Sequence, residues 1–221
     1  MPTALKRRPA LSVAQDHGDH SVYLHLAEIV EEDIEWLKSV ECLTLWNVTI
    51  PCGFLARLKR LWWLDIRGGS GTNLETVRGA NNLRYLAVNQ VRGMRDVAIA
   101  GELPSLEYLD LYGLPQLTNL PSFANSRLLE RANLGQLRGL TSLDGILNAP
   151  SLRELLLIRK INVSPADVDR IRHHPTLQHF TWFAEDVPNK VWCPVVESIE
   201  LPPVQLAQFA AEWFKTKRSP G

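Results

Sequence analysis

Leucines in this chain recur with a fixed period. In "LPSLEYLDLYGLPQLTNLPSF" (103–123) the triplet Leu106, Leu109 and Leu111 has a copy 23 residues upstream at Leu83, Leu86 and Val88. Copies follow downstream at Leu129, Ala132 and Leu134, and at Leu152, Leu155 and Leu157. Weaker ones lie at Val40, Leu43 and Leu45, at Leu61, Leu64 and Ile66, and at Leu177, Phe180 and Trp182, with echoes in Leu24/Leu26 and Ile199/Leu201. The leucines after the triplet move with it, Leu114, Leu117 and Leu120 becoming Leu137, Leu140 and Leu143. A repeat this short cannot bury its own apolar side chains. It must stack on its neighbours, and stacked units form a solenoid.

The spacing inside one unit predicts its shape. The step of two, Leu109 to Leu111, fits a short strand with alternate residues facing the core. The steps of three that follow fit a tight 3₁₀-like return. "SPADVDRIRHH" predicts a true helix, with Ser164 as N-cap, Pro165 at the first position and Asp167 closing a capping box. "EEDIEWLKSV" predicts another before the second strand.

The pattern L-x-x-L-x-L at this period, clearest in "LPSLEYLDLYG", "NNLRYLAVNQ" and "PSLRELLLIR", resembles the leucine-rich repeat family. The resemblance covers Tyr23 to Leu201. It implies an α/β repeat solenoid, a right-handed coil with a parallel β-sheet on the concave face and short helices, 3₁₀ or extended segments on the convex face. The family's asparagine, three residues after the last strand leucine, is replaced here by Val48, Gly69, Val91, Leu114 and Leu137, which predicts a different inner ladder. The expected organisation is a poorly ordered arm over 1–20, about nine coils over 21–202, and a capping helix and tail over 203–221. In that last segment Leu206, Phe209, Ala210, Trp213 and Phe214 share one side, as in a helix lying over the last coil. A membrane-surface helix is the alternative, supported only by Lys215, Lys217 and Arg218.

Charge and cysteine usage narrow the setting. Lysine plus arginine equals aspartate plus glutamate, 24 against 24, so no net field favours nucleic acid or an anionic membrane. Cys42, Cys52 and Cys193 match no zinc site or disulfide framework, and three cysteines suit a reducing compartment. The N-terminal stretch has no apolar core of signal-peptide length, and no segment approaches a membrane span. A cytoplasmic protein, monomeric when free, is expected.

Candidate chemistry is sparse. His173 and His174 suit a helix end, where histidine favours the dipole. "DHGDH" (16–20) offers ligands to a metal but lies outside the repeats, where nothing fixes its geometry. "RGGSGTN" (67–73) lacks the lysine and hydroxyl of a phosphate loop. Asp65 and Asp110 point from one sheet face but two rungs apart, on the order of 10 Å, too far for a glycosidase pair. No catalytic residue, metal or cofactor is expected.

The residues between and beside the strand leucines face outward, and their aromatic content is high. Trp46, Trp63, Asp65, Arg67, Tyr85, Tyr108, Asp110, Tyr112, Arg131 and Phe183 form the expected partner-binding surface. Aromatic residues and arginine dominate binding hot spots; the bland alternative is cross-strand aromatic pairing that only stabilises the sheet. The favoured function is a non-catalytic protein-binding module (an inhibitor, an adaptor or a toxin-neutralising immunity protein). An enzyme with an unrecognised concave-face site and a secreted adhesin are the alternatives.

Overall fold

The structure, a computed structural model, describes residues 7–205 and 210–218. Its strands in chain order are β1 (Arg8–Pro9), β2 (Gln15–Asp16), β3 (Ser21–His25), β4 (Ala27–Glu28), β5 (Cys42–Trp46), β6 (Trp63–Arg67), β7 (Tyr85–Asn89), β8 (Tyr108–Tyr112), β9 (Arg131–Gly135), β10 (Glu154–Ile158) and β11 (His179–Phe183). The α-helices are α1 (Ala10–Val13), α2 (Ile34–Leu37), α3 (Pro165–Arg172), α4 (Asn189–Ile199) and α5 (Ala210–Arg218).

One sheet runs β11-β10-β9-β8-β7-β6-β5-β3-β2. The strands centred on Leu43, Leu64, Leu86, Leu109, Ala132 and Leu155 pair in parallel and in sequence order, as the repeat demands. Their leucines fall rung on rung, Leu64 beside Leu86, Leu109 and Ala132, and all four are fully buried. The return segments are 3₁₀ turns at Leu55–Arg57, Glu75–Val77, Ala98–Glu102 and Ile146–Asn148, and the coil between β8 and β9 returns without a helix. Between β10 and β11 the return is α3, where Ser164 accepts from the Asp167 N–H (3.1 Å) and the Asp167 carboxylate accepts from the Ser164 N–H (2.8 Å), the expected capping box.

The missing asparagine has a structural counterpart. The residue directly after β3 and after each strand from β5 to β10 takes a left-handed conformation: Leu26, Asn47, Gly68, Gln90, Gly113, Gln136 and Arg159 all have positive φ. Each donates its N–H to the last strand carbonyl of the next coil, as Gln90 does to Tyr112 (2.8 Å) and Gln136 to Ile158 (2.8 Å). A backbone ladder therefore makes the turn. The position where the family carries asparagine turns inward instead, and Val91, Leu114 and Leu137 are buried in the core there.

Both ends differ from expectation. Residues 7–20 are not a loose arm: β1 pairs with β4, Ala10 of α1 is fully buried, and β2 pairs antiparallel with β3 to finish the sheet edge. At the other end Ile199 and Leu201 form no ninth rung, because Ile199 closes α4 and Glu200 leaves it in a left-handed turn. The last coil is covered by α4, which packs on β11 and α3 and brings Trp192, Val195 and Val196 against the core. The cap is thus α4, and α5 is free for another place. Leu206 and Phe209, expected on the capping side of the final helix, lie outside the described residues.

Candidate interaction face

Strand register fixes three outward columns. The first is Cys42, Trp63, Tyr85, Tyr108, Arg131, Glu154 and His179; the second is Thr44, Asp65, Ala87, Asp110, Asn133, Leu156 and Thr181; the third is Trp46, Arg67, Asn89, Tyr112, Gly135, Ile158 and Phe183. On β3 the residues in these columns are Ser21, Tyr23 and His25, because Val22 and Leu24 pair with Leu43 and Leu45. The apparent pair Leu24/Leu26 reads two residues too far along.

The first column is not open to solvent. α5 lies on it, so the helix expected over the last coil sits instead across the middle of the sheet. Trp213 and Phe214 are buried with Tyr85, Ala87 and Tyr108, and Trp62, Trp63 and Ala210 pack at the margin. The Phe214 ring centroid is 5.2 Å from Trp62, 6.1 Å from Trp63 and 6.4 Å from both Tyr85 and Tyr108. Beneath it Trp63 stacks on Tyr85 at 3.8 Å, and Tyr85 meets Tyr108 edge-on at 5.1 Å. Of the expected binding surface, Tyr85, Tyr108 and Arg131 are therefore buried and Trp63 half-buried; Asp65, in the second column, is buried as well. The physical reason is area: a contiguous aromatic sheet face is too large to leave wet, and this chain carries its own cover.

Charges fasten that cover. Lys217 donates to Glu107 (2.7 Å) and lies 3.1 Å from Glu130, while Trp213 Nε1 donates to Glu154 (3.2 Å). Arg84 bonds Glu107 (2.5 Å) and sits over Phe214, 5.2 Å from the ring centroid. Burial alone would raise the Glu107 carboxyl, but the hydrogen bonds from Arg84 and Lys217 outweigh it and hold the group below its ordinary range. Arg131, only 1% exposed, is paired with Glu154 (2.8 Å) and lies 5.0 Å from the centroid of the Tyr108 ring. Asn133 donates to the Tyr108 hydroxyl from the next strand.

The third column stays outside this cover. Trp46 is 42% exposed and Phe183 46%, Arg67 is exposed, and Tyr112 is half-buried. The Trp46 ring lies against Gly68, where an added Cβ would meet Nε1 at 3.0 Å; most other coils carry side chains at this left-handed position, so here it is the approach of the indole that favours glycine. His25 meets Trp46 edge-on at 5.7 Å and Tyr23 at 6.4 Å. Arg67 bends back to Asp65 through Nε (2.8 Å) and Nη2 (2.5 Å). Farther along, the Tyr112 ring fills the space a Cβ on Gly135 would need, at 2.3 Å. The ten expected residues thus split: Trp46, Arg67, Tyr112 and Phe183 stay accessible, Trp63, Tyr85, Tyr108 and Arg131 lie in the column under α5, and Asp65 and Asp110, in the second column, are buried and half-buried. Tyr23 and His25 join the accessible set, and the two-residue slip on β3 had hidden their place.

Asp65 and Asp110 sit two rungs apart with Ala87 between them. Burial pushes the Asp110 carboxyl up to about 6, and the negative Asp65 adds to the rise, while Asn133, Arg131 and Arg67 oppose it. Asp65 Oδ1 is itself buried with no hydrogen-bond partner among the described residues. The folded value lies above the unfolded one, near 3.8, so folding favours the protonated acid. Stability from this group is present below about pH 4 and is lost as the pH rises through about 6. Asp110→Asn should remove that slope, so that the variant gains on the native chain between pH 4 and 6 in paired thermal melts. A constant offset between the two curves would show that Asp110 titrates normally.

Among the described residues no group of three or more His, Cys, Asp or Glu side chains could hold a metal, and no helix is long and apolar enough to cross a membrane. No family model matches the sequence, and no curated protein matches it. Among solved structures, an internalin C2 of Listeria monocytogenes is similar over 61% of this chain and 62% of its own, at 20% identity and a TM-score of 0.47. The chain therefore spans less than two thirds of that structure. A second internalin of that species, inlF, is similar over 85% of this chain and 74% of its own, at 14% identity and a TM-score of 0.33. The fold is a leucine-rich-repeat-like solenoid.

Proposed function

We propose that this chain is a non-catalytic module that binds a protein partner through the third column of its sheet. One observation carries the reading. His25, Trp46 and Arg67 of the third column, with Tyr23 of the second beside them, form an accessible aromatic and basic cluster on the sheet, whereas the equally aromatic first column is covered. Residues held for sheet stability alone would be under the cover. Tryptophan and arginine on a fixed backbone lose little entropy on contact, which suits a hot spot. An inhibitor or immunity role in a reducing compartment is the finer form of the proposal, supported by three cysteines that fit no disulfide framework.

The test is co-purification from the native host, followed by titration of the recovered partner against Trp46→Ala and Arg67→Glu. Each should weaken binding by about 2 kcal/mol or more, roughly thirtyfold, if it is a hot spot. Melting should barely move for Trp46→Ala, whose ring is 42% exposed; Arg67→Glu should lower it, because it takes the cation from the buried Asp65, so its binding is read at a temperature where circular dichroism shows it folded. Unchanged affinity in both variants would refute this face.

A further inference from the structure

The groove beneath α5 has the features of a recognition site rather than of a core. Its aromatic cluster is separate from the leucine core, from which the sheet divides it. Among the described residues that cluster includes no leucine of the repeat, so the leucine core does not depend on the helix for its own packing. α5 brings to it what a peptide ligand would bring: two adjacent aromatics, Trp213 and Phe214, and a cation one turn on, Lys217. The groove answers each, with an aromatic floor for the rings, Glu154 for the indole N–H, and Glu107 with Glu130 for the ammonium. Helix-in-groove recognition uses such spaced anchors. Nine residues make a helix of marginal stability alone, so α5 owes its order to the groove.

α5 also fits its groove incompletely. A cleft of about 490 Å³ opens beside Ala211, lined by Cys42, Thr44, Trp62 and Trp63. A second, of about 450 Å³, opens on the opposite flank beside Thr216, towards Glu154 and His179. Ala211 lies one turn before Phe214 on the same side of the helix. A methyl group there leaves the first cleft empty, where a larger apolar side chain would reach the Trp62 and Trp63 rings.

We infer that this groove is a docking site for an amphipathic helix of the partner protein, which replaces α5. That helix carries two adjacent aromatic residues, a lysine or arginine three residues after the second, and a bulky apolar residue three before it. The inference rests on the protein-binding reading but concerns a different column. α5 is then the resident competitor, and the bulky residue gives the incoming helix its advantage.

The experiment uses the full chain and synthetic peptides. In the variant Trp213→Ala/Phe214→Ala the resident helix loses its anchors while the repeat core is untouched. A fluorescent peptide with the native sequence of residues 203–221 should bind this variant at least tenfold more tightly than the native chain, whose groove is filled. The same peptide carrying Ala211→Leu should bind about fivefold more tightly still, and the one carrying Lys217→Glu about tenfold less. Lys217→Glu in the chain itself, a milder lesion, should also admit the native peptide. Circular dichroism reports whether the sheet persists. A folded variant that binds no peptide overturns the proposal. So does loss of the sheet in the double variant with no peptide binding to the milder one, since α5 would then be an integral part of the fold. Trp46→Ala leaves these peptide affinities unchanged, so failure here is distinguishable from failure of the outer column.

Discussion

Leu109→Ala lowers stability by about 2 to 5 kcal/mol, measured as a shift of the denaturant midpoint. Leu109, the second residue of β8, is fully buried between Leu86 and Ala132. Its neighbour on β9 is already the smallest side chain in the leucine rows, so nothing on that side can collapse into the new cavity. The cost therefore belongs in the upper half of the range. Leu11→Ala is the control, because Leu11 is 65% exposed and its loss should cost less than 0.5 kcal/mol. A Leu109 variant costing under about 1 kcal/mol would mean that the coils repack more freely than a close-packed interior allows.

Glu154→Leu is the second large effect, about 3 to 5 kcal/mol. The substitution leaves the Arg131 guanidinium buried beneath α5, with Asn133 at 3.4 Å and the Tyr108 ring as its remaining partners. It also removes the acceptor of the Trp213 N–H, so the helix above is loosened in the same step. Removing both charges tests the assignment: Arg131→Met/Glu154→Leu should recover most of the loss, because the penalty comes from the orphaned cation. If the double variant is no more stable than the single one, the damage lies in packing, not charge.

Most of the coil was legible from leucine spacing. From Cys42 to Phe183 the period of the apolar residues placed every strand and every outward column in its observed register. On β3 the same logic slipped, for a definite reason. Val22, Leu24 and Leu26 alternate, so a shift of two residues keeps the same faces and changes only the column. What decides the column is the turn, where Leu26 takes the left-handed position that Asn47 and Gly68 take in the following coils. A leucine gives no hint of that role, whereas a glycine or asparagine would.

The place of α5 was not legible. Amphipathicity says that a helix has an apolar side, not which surface receives it. Two signals did exist in the sequence. The first column concentrates Trp63, Tyr85 and Tyr108 on consecutive rungs, more aromatic surface than water tolerates. The residues just before the strands include Glu107 and Glu130, two carboxylates on adjacent coils, and Lys217 answers both. Taken together, rings and carboxylates point to a segment bearing aromatics and lysine, and "WFKTK" provides one.

α5 changes how the solenoid can come apart. Coils in such a stack touch only their neighbours, so heat or force would ordinarily fray them one at a time from either end. α5 reaches from Trp62 to Glu154, and its Lys217–Glu107 contact joins residues 110 positions apart. It acts as a cross-brace that makes the coils of β6 to β10 a single cooperative unit, with β3, β5 and β11 left to fray outside it. Each coil inside the brace is held by a helix it does not own. Release of that helix would return the array to independent rungs, lowering the force needed to peel it without altering one leucine contact in the core.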